Sequence, residues 1–352
     1  MQHNMAIIGY GGMGAWHHHN IKEKVPELNV KGAYDIRPEI EEKIKSNGLY
    51  VYQNLEEILA DEEIELVTIA VPNNFHKDYS IACMRAGKNV VCEKPVTLNA
   101  AELEEIIAVS KETGKLFTVH HNRRWDKDYR IIKNILDNGT IGAPYFIETR
   151  VQGSRGAMHG WRGYKENGGG MLLDWGIHLL DQLLDMLPGK VTGVCAHLKT
   201  VFSGEVDDSV KIFLDFEGDV SALLEFSTNC FINHPRWHVS CMEGTAVVEN
   251  WECEGQIVKL AENADEMAWA DDIVYTAAGP TRTMAPRPAH TKQVMPLPEV
   301  NTDWSEYYKN VVGVLEGSAE LIVKPEQCLR VMRLIDTIFE ACENGGAAVC
   351  NI

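Results

Sequence analysis

A stripe of polar residues with the side-chain types of acid–base chemistry follows three consecutive glycines, Gly168 to Gly170. Its members are Asp174, His178, Asp181 and Asp185, and spacings of four, three and four residues place them on one face of a helix. Histidine exchanges protons near neutral pH, and glycines let a ligand or another backbone come close. An ordinary helix with a solvent-facing stripe has the same pattern, so the rest of the chain must decide between the two interpretations.

A lysine is the second candidate for chemistry. Lys94 follows the apolar run Asn89 to Cys92 and stands in the tripeptide Glu93-Lys94-Pro95, whose proline restricts the backbone. A surface lysine in a turn is the ordinary alternative. A lysine held in a crevice would instead lose solvation, which lowers its pKa towards the range of acid–base work.

A third set of residues fits the binding of a dinucleotide. The apolar run Met5 to Ile8 is followed by Gly9-Tyr10-Gly11-Gly12-Met13-Gly14, which satisfies G-x-G-x-x-G and leads directly into a helical pattern. Such glycines permit a tight turn and the close approach of a pyrophosphate at a helix N-terminus. Asp35 ends the second strand, 21 residues after Gly14. Its carboxylate would accept hydrogen bonds from the adenosine ribose and repel a 2′-phosphate, which favours NAD, while Arg37 keeps NADP possible.

Alternating strands and helices position these residues. The pattern over residues 1–124 predicts a doubly wound parallel sheet, whose ligand crevice lies at the carboxyl ends of the strands. Polar clusters stand at these ends: Val71 to His76 follows one strand, and His120 to Trp125 follows another. The three consecutive histidines His17 to His19 would point in different directions on a helix, so we do not expect a metal site there.

Residues 125–352 predict a second, α+β domain with a predominantly antiparallel sheet. Alternating runs separated by turn residues predict its strands: Pro144 to Val151, Val191 to Val201, Ser209 to Phe216, Val220 to Thr228, Trp237 to Met242, Thr245 to Asn250 and Gln256 to Leu260. Helices are expected over Tyr129 to Asp137, Trp304 to Glu316 and Pro325 to Cys342. Residues 263–303 are rich in proline and show little periodicity, which predicts an irregular excursion.

Composition excludes several classes of partner. The chain has 352 residues and a net charge of −18, which argues against nucleic acid and anionic membranes as partners. We see no signal peptide, and no apolar run reaches the length of about 18 residues that a transmembrane helix needs. Nine scattered cysteines without zinc-site spacing fit a reducing cytoplasm.

Taken together, these motifs resemble those of the Gfo/Idh/MocA family of oxidoreductases. The resemblance covers nearly the whole chain and rests on the N-terminal glycine motif, on Glu93-Lys94-Pro95, and on Gly168 to Gly170 with Asp174, His178 and Asp181. It implies a Rossmann domain followed by a domain whose open sheet forms homodimers or homotetramers. It also implies hydride exchange between NAD(P) and a hydroxyl-bearing carbon of a sugar, inositol or related compound, with Lys94, Asp174 and His178 as the catalytic set.

The resemblance and the strand ends together give the candidate binding residues. Asn122 and Arg124 match a segment near the nicotinamide, and Trp161-Arg162 resembles a cofactor-contacting pair of some members. The candidate cofactor-binding residues are Gly9, Gly11, Gly12, Met13, Gly14, Asp35, Arg37, Pro72, Asn73, Asn74, His76, Glu93, Lys94, Asn122, Arg124, Trp161 and Arg162. The candidate substrate-binding residues, whose aromatic members could equally serve ordinary packing, are Lys94, Trp161, Tyr164, Trp175, His178, Trp237 and His238.

The expected reaction assigns roles to the catalytic set. Oxidation of a secondary alcohol needs a base, for which His178 is the better candidate, and a group such as Lys94 that stabilises negative charge on oxygen. The two could exchange roles, and Asp174 would orient them. The expected function is an NAD-dependent dehydrogenase acting on a sugar, glycoside or cyclitol, with oxidation of a glycoside at C3 as the favoured subcase. The alternatives are a glycosidase that oxidises its substrate transiently and, less favoured because the catalytic set is present, a non-catalytic NAD-binding sensor.

Overall fold

A parallel sheet of six strands forms the first half of the protein. The computed structural model describes residues 2–264, 267, 273–282 and 286–352. The strands are β1 (His3–Ile8), β2 (Leu28–Tyr34), β3 (Tyr50–Val51), β4 (Leu66–Ile69), β5 (Asn89–Cys92) and β6 (Phe117–Val119). The helices between them are α1 (Gly12–Lys24), α2 (Glu41–Ser46), α3 (Leu55–Ala60), α4 (His76–Arg85) and α5 (Ala100–Thr113).

The strand order, β3-β2-β1-β4-β5-β6, is that of a doubly wound sheet and confirms the predicted fold of this half. Every residue of β4 is buried, because helices cover both faces of the sheet. Local signals set the helix starts. Asn99, for example, accepts a hydrogen bond from the backbone N–H of Glu102 at 3.0 Å and so caps α5 as predicted.

A mostly antiparallel sheet of nine strands forms the second half and confirms the predicted α+β architecture. Its order is β16-β13-β12-β11-β7-β10-β9-β8-β17, and β7 and β10 are its parallel pair. The strands of this half are β7 (Pro144–Gln152), β8 (Val191–Lys199), β9 (Ser209–Phe216), β10 (Val220–Ser227), β11 (Trp237–Cys241), β12 (Gly244–Val248), β13 (Gly255–Leu260), β14 (Val274–Thr276), β15 (Gly279–Thr281), β16 (Lys292–Met295) and β17 (Ala347–Val349). The helices are α6 (Lys127–Asp137), α7 (Ile177–Met186), α8 (Ser305–Leu315) and α9 (Pro325–Glu343).

The two faces of the second sheet differ in composition. In β9, Val210, Ile212, Leu214 and Phe216 are buried and alternate with exposed residues, as the sequence pattern predicts. Helix α9 packs against β8 on the covered side. The other face carries Phe213, whose ring lies 6.2 Å from that of Phe146. Assembly of two or four copies through this face stays a prediction.

Residues 263–303 contain more regular structure than their sequence suggests. The prediction of an irregular excursion is wrong for β16, which pairs with β13 and extends the sheet, and for the hairpin of β14 and β15. Short segments that take their hydrogen bonds from a neighbouring strand need no hydrophobic periodicity of their own. Part of this range, namely 265–266, 268–272 and 283–285, lies outside the described residues. Within the described ranges, no helix combines the length and apolar composition needed to cross a membrane.

The last two helices return to the parallel sheet. The Tyr308 hydroxyl in α8 lies 3.0 Å from Thr68 Oγ1 in β4, and the backbone N–H of Ala100 donates to Asp336 of α9 at 2.9 Å. The domain boundary predicted after residue 124 falls inside a one-turn 3-10 helix, Asn122–Trp125. The two halves therefore share an extended contact. A cavity opens where the 3-10 turn meets this contact.

Candidate active site

A cavity of about 960 Å3 extends along the carboxyl ends of the parallel strands and is closed on one side by the second half of the chain. One end holds the glycine turn and Asp35, and the other holds Lys94, Asp174 and His178. The sequence-predicted residues that line it are Gly9, Gly11, Gly12, Met13, Asp35, Arg37, Pro72, Asn73, Glu93, Lys94, Asn122, Trp161, Arg162, Asp174, Trp175 and His178.

Two glycines of the turn, Gly9 and Gly14, leave no room for a side chain. A Cβ on Gly9, whose φ is +88°, would lie 2.5 Å from the carbonyl oxygen of Ala70, and a Cβ on Gly14 would lie 1.9 Å from that of Gly9. Gly14 does not line the cavity, and its smallness lets α1 start directly against the strand end. The turn therefore exposes backbone at a helix N-terminus, as pyrophosphate binding requires.

Asp35 stands at the far end of this turn with its carboxylate already engaged. It accepts hydrogen bonds from the backbone N–H of Tyr10 at 2.8 Å and from both Nε and Nη2 of Arg37 at 2.9 Å. Burial alone would raise the pKa of Asp35, but the hydrogen bonds and charge of Arg37 lower it below its ordinary value. The carboxylate is thus ionised at neutral pH, and the half-exposed Arg37 lies beside it.

These residues fit a nicotinamide dinucleotide. The turn admits a pyrophosphate at the N-terminus of α1, Asp35 offers acceptors for ribose hydroxyls, and the cavity continues to Lys94 and His178. Gly9, Gly11 and Gly12 would hold the pyrophosphate, and Asp35 with Arg37 would hold the adenosine end.

Lys94 and Asp174 meet at the other end of the cavity. Lys94 Nζ donates to the Asp174 carboxylate oxygen Oδ1 at 3.1 Å and to its backbone oxygen at 2.9 Å. Arg162 Nε donates to the same Oδ1 at 3.1 Å. Burial would raise the pKa of Asp174, but the two cations lower it below its ordinary value. Asp174 therefore carries a negative charge that fixes the positions of a lysine and an arginine.

A π-helical turn, Leu172–Gly176, carries Asp174 into the cavity and precedes α7. The sequence predicts a regular α-helix here, which is wrong for this turn. A single π turn inside a helix shifts the faces of the residues before it, a feature frequent at functional sites. Along the helix the four-residue stripe is divided: Asp174 and His178 line the cavity, whereas Asp181 and Asp185 bind Arg124.

Asp207 fixes the start of this helix and was not found from the sequence. Its Oδ2 accepts a hydrogen bond from the backbone N–H of Leu172 at 2.7 Å. A Cβ on Gly170 would lie 2.3 Å from Asp207 Oδ1, so the glycine makes room for the carboxylate. Burial raises the pKa of Asp207 to about 6 despite the backbone hydrogen bonds.

His178 lies one helical turn beyond Asp174 and is 4% exposed. Burial, and then the charges of Lys94 and Arg123, hold its pKa well below the ordinary value of 6.5, so the ring is neutral at neutral pH. No described residue hydrogen-bonds to its buried Nδ1. A buried polar atom without a protein partner is costly unless water or a ligand satisfies it.

Glu93 anchors the segment that holds Lys94. Its Oε1 lies 2.8 Å from His17 Nε2 and from His120 Nδ1, and its Oε2 accepts the backbone N–H of Lys94 at 3.1 Å. Burial opposes ionisation, but the two histidines hold the pKa of Glu93 well below its usual range. His17, Glu93 and His120 have the ligand types of a metal site, yet hydrogen bonds account for their contacts. The three consecutive histidines point in different directions, as predicted. The His18 side chain hydrogen-bonds to Tyr10, and the His19 side chain is exposed to solvent.

Arg124 does not reach the cavity, contrary to the prediction. Its guanidinium is buried and donates to both carboxylate oxygens of Asp181, at 2.8 and 2.6 Å, and to Asp185 at 3.1 Å. The neighbouring Arg123 lines the cavity instead. The 3-10 turn sends consecutive side chains in different directions, which the linear pattern could not reveal.

Five other predicted residues also lie away from the cavity. Trp237 is fully buried and donates to Asp128, so it packs the core of the second sheet. His238 lies beside it on β11, and Tyr164 is more than half exposed. His76 is buried between backbone carbonyls of Val71 and Pro95, where it braces the turn. Asn74 is exposed.

Among the lining residues that the sequence reasoning missed are Trp16, Arg123 and Trp304. Trp16 and Trp304 line the cavity with Arg123, and their rings lie 5.4 Å apart. Trp16 is part of α1 and comes shortly after the glycine motif. Its place next to this motif was the signal that could have identified it as a lining residue. Trp304 comes from the second half of the chain and could not be placed without the fold.

Comparison with known proteins agrees with this architecture. A family sequence model described as an oxidoreductase family with an NAD-binding Rossmann fold matches residues 3–121, and one described as the GFO/IDH/MocA C-terminal domain matches residues 129–247. A scyllo-inositol 2-dehydrogenase (NADP(+)) of Bacillus subtilis is 28% identical over 96% of this chain and 93% of its own length. A myo-inositol 2-dehydrogenase of Thermotoga maritima is 28% identical over 63% of this chain and 68% of its own length. The solved structure of an NAD-binding protein from Listeria innocua has a TM-score of 0.94 and 40% identity, covering 99% of both chains.

Proposed function

Because the chain belongs to the Gfo/Idh/MocA family of oxidoreductases, we propose that it is an NAD-dependent dehydrogenase that acts on a ring secondary alcohol of a sugar, glycoside or cyclitol. One observation carries the proposal. Lys94, Asp174 and His178 come together at one end of a cavity whose other end has the features of a dinucleotide site. The family thus indicates the class of reaction, and the cavity supports Lys94, Asp174 and His178 as the residues that carry it out.

Lys94 is the group that faces the alcohol oxygen. Two of the three ammonium hydrogens are used by Asp174, which leaves one for a substrate oxygen. A positive charge fixed in this way stabilises the oxygen as it loses its proton. Asp174 holds the lysine in place and balances its charge, together with the charge of Arg162.

His178 is the proton acceptor in this proposal. Its ring is neutral at neutral pH, so it can take the hydroxyl proton. Nicotinamide, when bound, supplies the acceptor for the hydride. The reverse assignment, with Lys94 as base, uses the same residues, and a pH profile distinguishes the two.

The substrate class is supported by relatives and by lining residues. Inositol dehydrogenases are among the relatives, and Trp161 and Trp175 offer aromatic faces of the kind that pack against sugar C–H surfaces. Within this class we favour glycosides oxidised at C3. A glycosidase that oxidises its substrate transiently would use the same residues and differs only in its products. We place the protein in a reducing cytoplasm, since none of its nine cysteines, all within the described ranges, forms a disulfide.

The test is a substrate screen with two readouts. Purified protein is incubated with NAD, and separately with NADP, together with inositols, free sugars and aryl glycosides. Nicotinamide absorbance and released aglycone are both followed. Net NADH with no aglycone supports the dehydrogenase, whereas released aglycone with unchanged NAD supports the glycosidase. Absence of both over the panel would contradict the proposal.

A further inference from the structure

A second cavity, of about 520 Å3, adjoins the catalytic end of the first. The two cavities share Arg123, Trp175 and Trp304 as lining residues. The ring of Trp175 lies 6.1 Å from that of His178 on one side and 5.8 Å from that of Trp251 on the other. The second cavity therefore begins one aromatic ring away from the catalytic histidine.

The walls of this cavity are held rigidly. The Arg236 guanidinium stacks 3.7 Å over the Trp251 ring and is itself bound to Asp128 at 2.6 Å. The Arg123 guanidinium lies 4.3 Å from the Trp175 ring centroid and donates to Asp126 at 2.8 Å. Although Trp251 is nearly half exposed, its ring is fixed in place, so binding against it costs little ordering entropy.

The charges of the lining favour a neutral ligand. Arg123 pairs with Asp126, and Asp303 pairs with Lys24 at 2.5 Å. Asp128 is likewise neutralised by a neighbouring arginine, and Lys127 is exposed to solvent. The surface that remains for a ligand is aromatic, with carboxylates at its edges. Such a surface suits the apolar faces and hydroxyl groups of a sugar or an aromatic aglycone.

We propose that this second cavity, lined by Trp251, Trp175, Trp304 and Arg123, is a subsite for the group attached to the oxidised ring, so that the substrate is a glycoside rather than a free sugar or cyclitol. The inference rests on the proposed function for the position of the oxidised ring. The attached group is a second sugar or an aromatic aglycone. When this group stacks on Trp251, a glycoside gains binding energy outside the ring that reacts. A free sugar or cyclitol has no such group, so the subsite selects glycosides.

The test compares pairs of ligands that differ only in the attached group. Binding of glucose, galactose and mannose to the NAD-saturated protein is measured by calorimetry beside that of their phenyl β-glycosides. At least one phenyl glycoside is expected to bind about tenfold more tightly than its free sugar. Trp251→Ala should abolish that ratio, and Trp251→Phe, which keeps a ring, should retain most of it. Tyr275→Ala, which truncates an exposed aromatic ring on β14, is the control and should leave the ratio unchanged.

The outcomes separate this inference from the proposed function. If no phenyl glycoside binds more tightly than its free sugar, or if Trp251→Ala leaves the ratio intact, the subsite assignment is overturned. If the ratio depends on Trp251 but no compound of the whole substrate screen reduces NAD or loses its aglycone, the subsite stands and the proposed reaction is wrong. Turnover of the free sugars with a ratio near one supports the reaction and overturns the subsite.

Discussion

Lys94 Nζ donates to both the carboxylate and the backbone oxygen of Asp174, at 3.1 and 2.9 Å, and so joins the two halves of the protein at the end of the cavity that His178 also lines. The lysine stands two residues after the end of β5 in the parallel sheet, and the aspartate belongs to the π-helical turn of the second half. Because both bonds are made before substrate arrives, the ammonium group is already oriented. Preorganised charge of this kind costs no reorganisation during reaction.

Replacement of Lys94 by alanine should lower kcat/KM for NAD reduction by about 10²–10³-fold, because the developing negative charge on the substrate oxygen loses its partner. Steady-state kinetics with the best substrate of the screen measures the effect. Lys111→Ala, which removes an exposed lysine on α5, is the matched control and should retain activity. Full activity in Lys94→Ala would show that Lys94 takes no part in the reaction.

The pH profile of kcat/KM should identify the base. The pKa of His178 is held well below 6.5 by burial and nearby cations, so the free enzyme keeps a neutral ring down to acidic pH. Activity should therefore fall only at a pH well below 6.5, where the ring becomes protonated and cannot accept a proton. His178→Asn should lose at least about 10²-fold in rate and also lose this acidic limb. If the limb persists in His178→Asn, the base is another group.

The sequence predicts the framework of this site well because its signals are local. Strand β9 agrees with the prediction at both ends, since strict alternation and the turn Glu217-Gly218-Asp219 define it. Glu93-Lys94-Pro95 follows a buried strand, and this position alone puts Lys94 at the cavity edge. Periodicity and strand ends are properties of a few neighbouring residues, so they can be read from one sequence.

The remaining features depend on tertiary structure. Which of Arg123 and Arg124 faces the cavity is decided by a 3-10 turn and by the buried carboxylates of Asp181 and Asp185. The π turn before α7 has no pattern that separates it from an α-helix. Trp251 comes to the site from a turn after β12, far along the chain. No short-range signal contains such information.

Asp35 should control the choice between NAD and NADP. Asp35→Ala removes an acceptor for ribose hydroxyls and frees Arg37, which is bound to it at 2.9 Å, to pair with a 2′-phosphate. We expect NAD to bind about tenfold more weakly and the NADP-to-NAD affinity ratio to rise. Fluorescence titration with NADH and NADPH measures both. Glu39→Ala removes a nearby exposed carboxylate as a control, and an unchanged ratio in Asp35→Ala would contradict the assigned role.

Asp207 should act as a positioning residue for the helix that carries Asp174 and His178. Asp207→Ala removes the acceptor of the Leu172 N–H, which should lower kcat about tenfold while the affinity for NADH stays unchanged. Asp207→Asn keeps an acceptor oxygen and should recover much of the loss. Asp215→Asn, on the exposed side of β9, is the matched control. Equal loss of kcat and of NADH affinity in Asp207→Ala would indicate general unfolding instead.

The same residue makes a separate prediction about stability. The pKa of Asp207 is raised to about 6 in the folded protein from an ordinary value of 3.8, so the folded state binds this proton more tightly than the unfolded chain. The stabilisation from this group is therefore fully present below pH 3.8 and is lost as pH rises through about 6. Asp207→Asn does not titrate and should escape this loss. Its free energy of unfolding relative to the parent protein should rise by about 1 kcal/mol between pH 5 and pH 7, as measured by denaturant titration. A constant difference between the two proteins over this range would show that Asp207 titrates normally in the folded state.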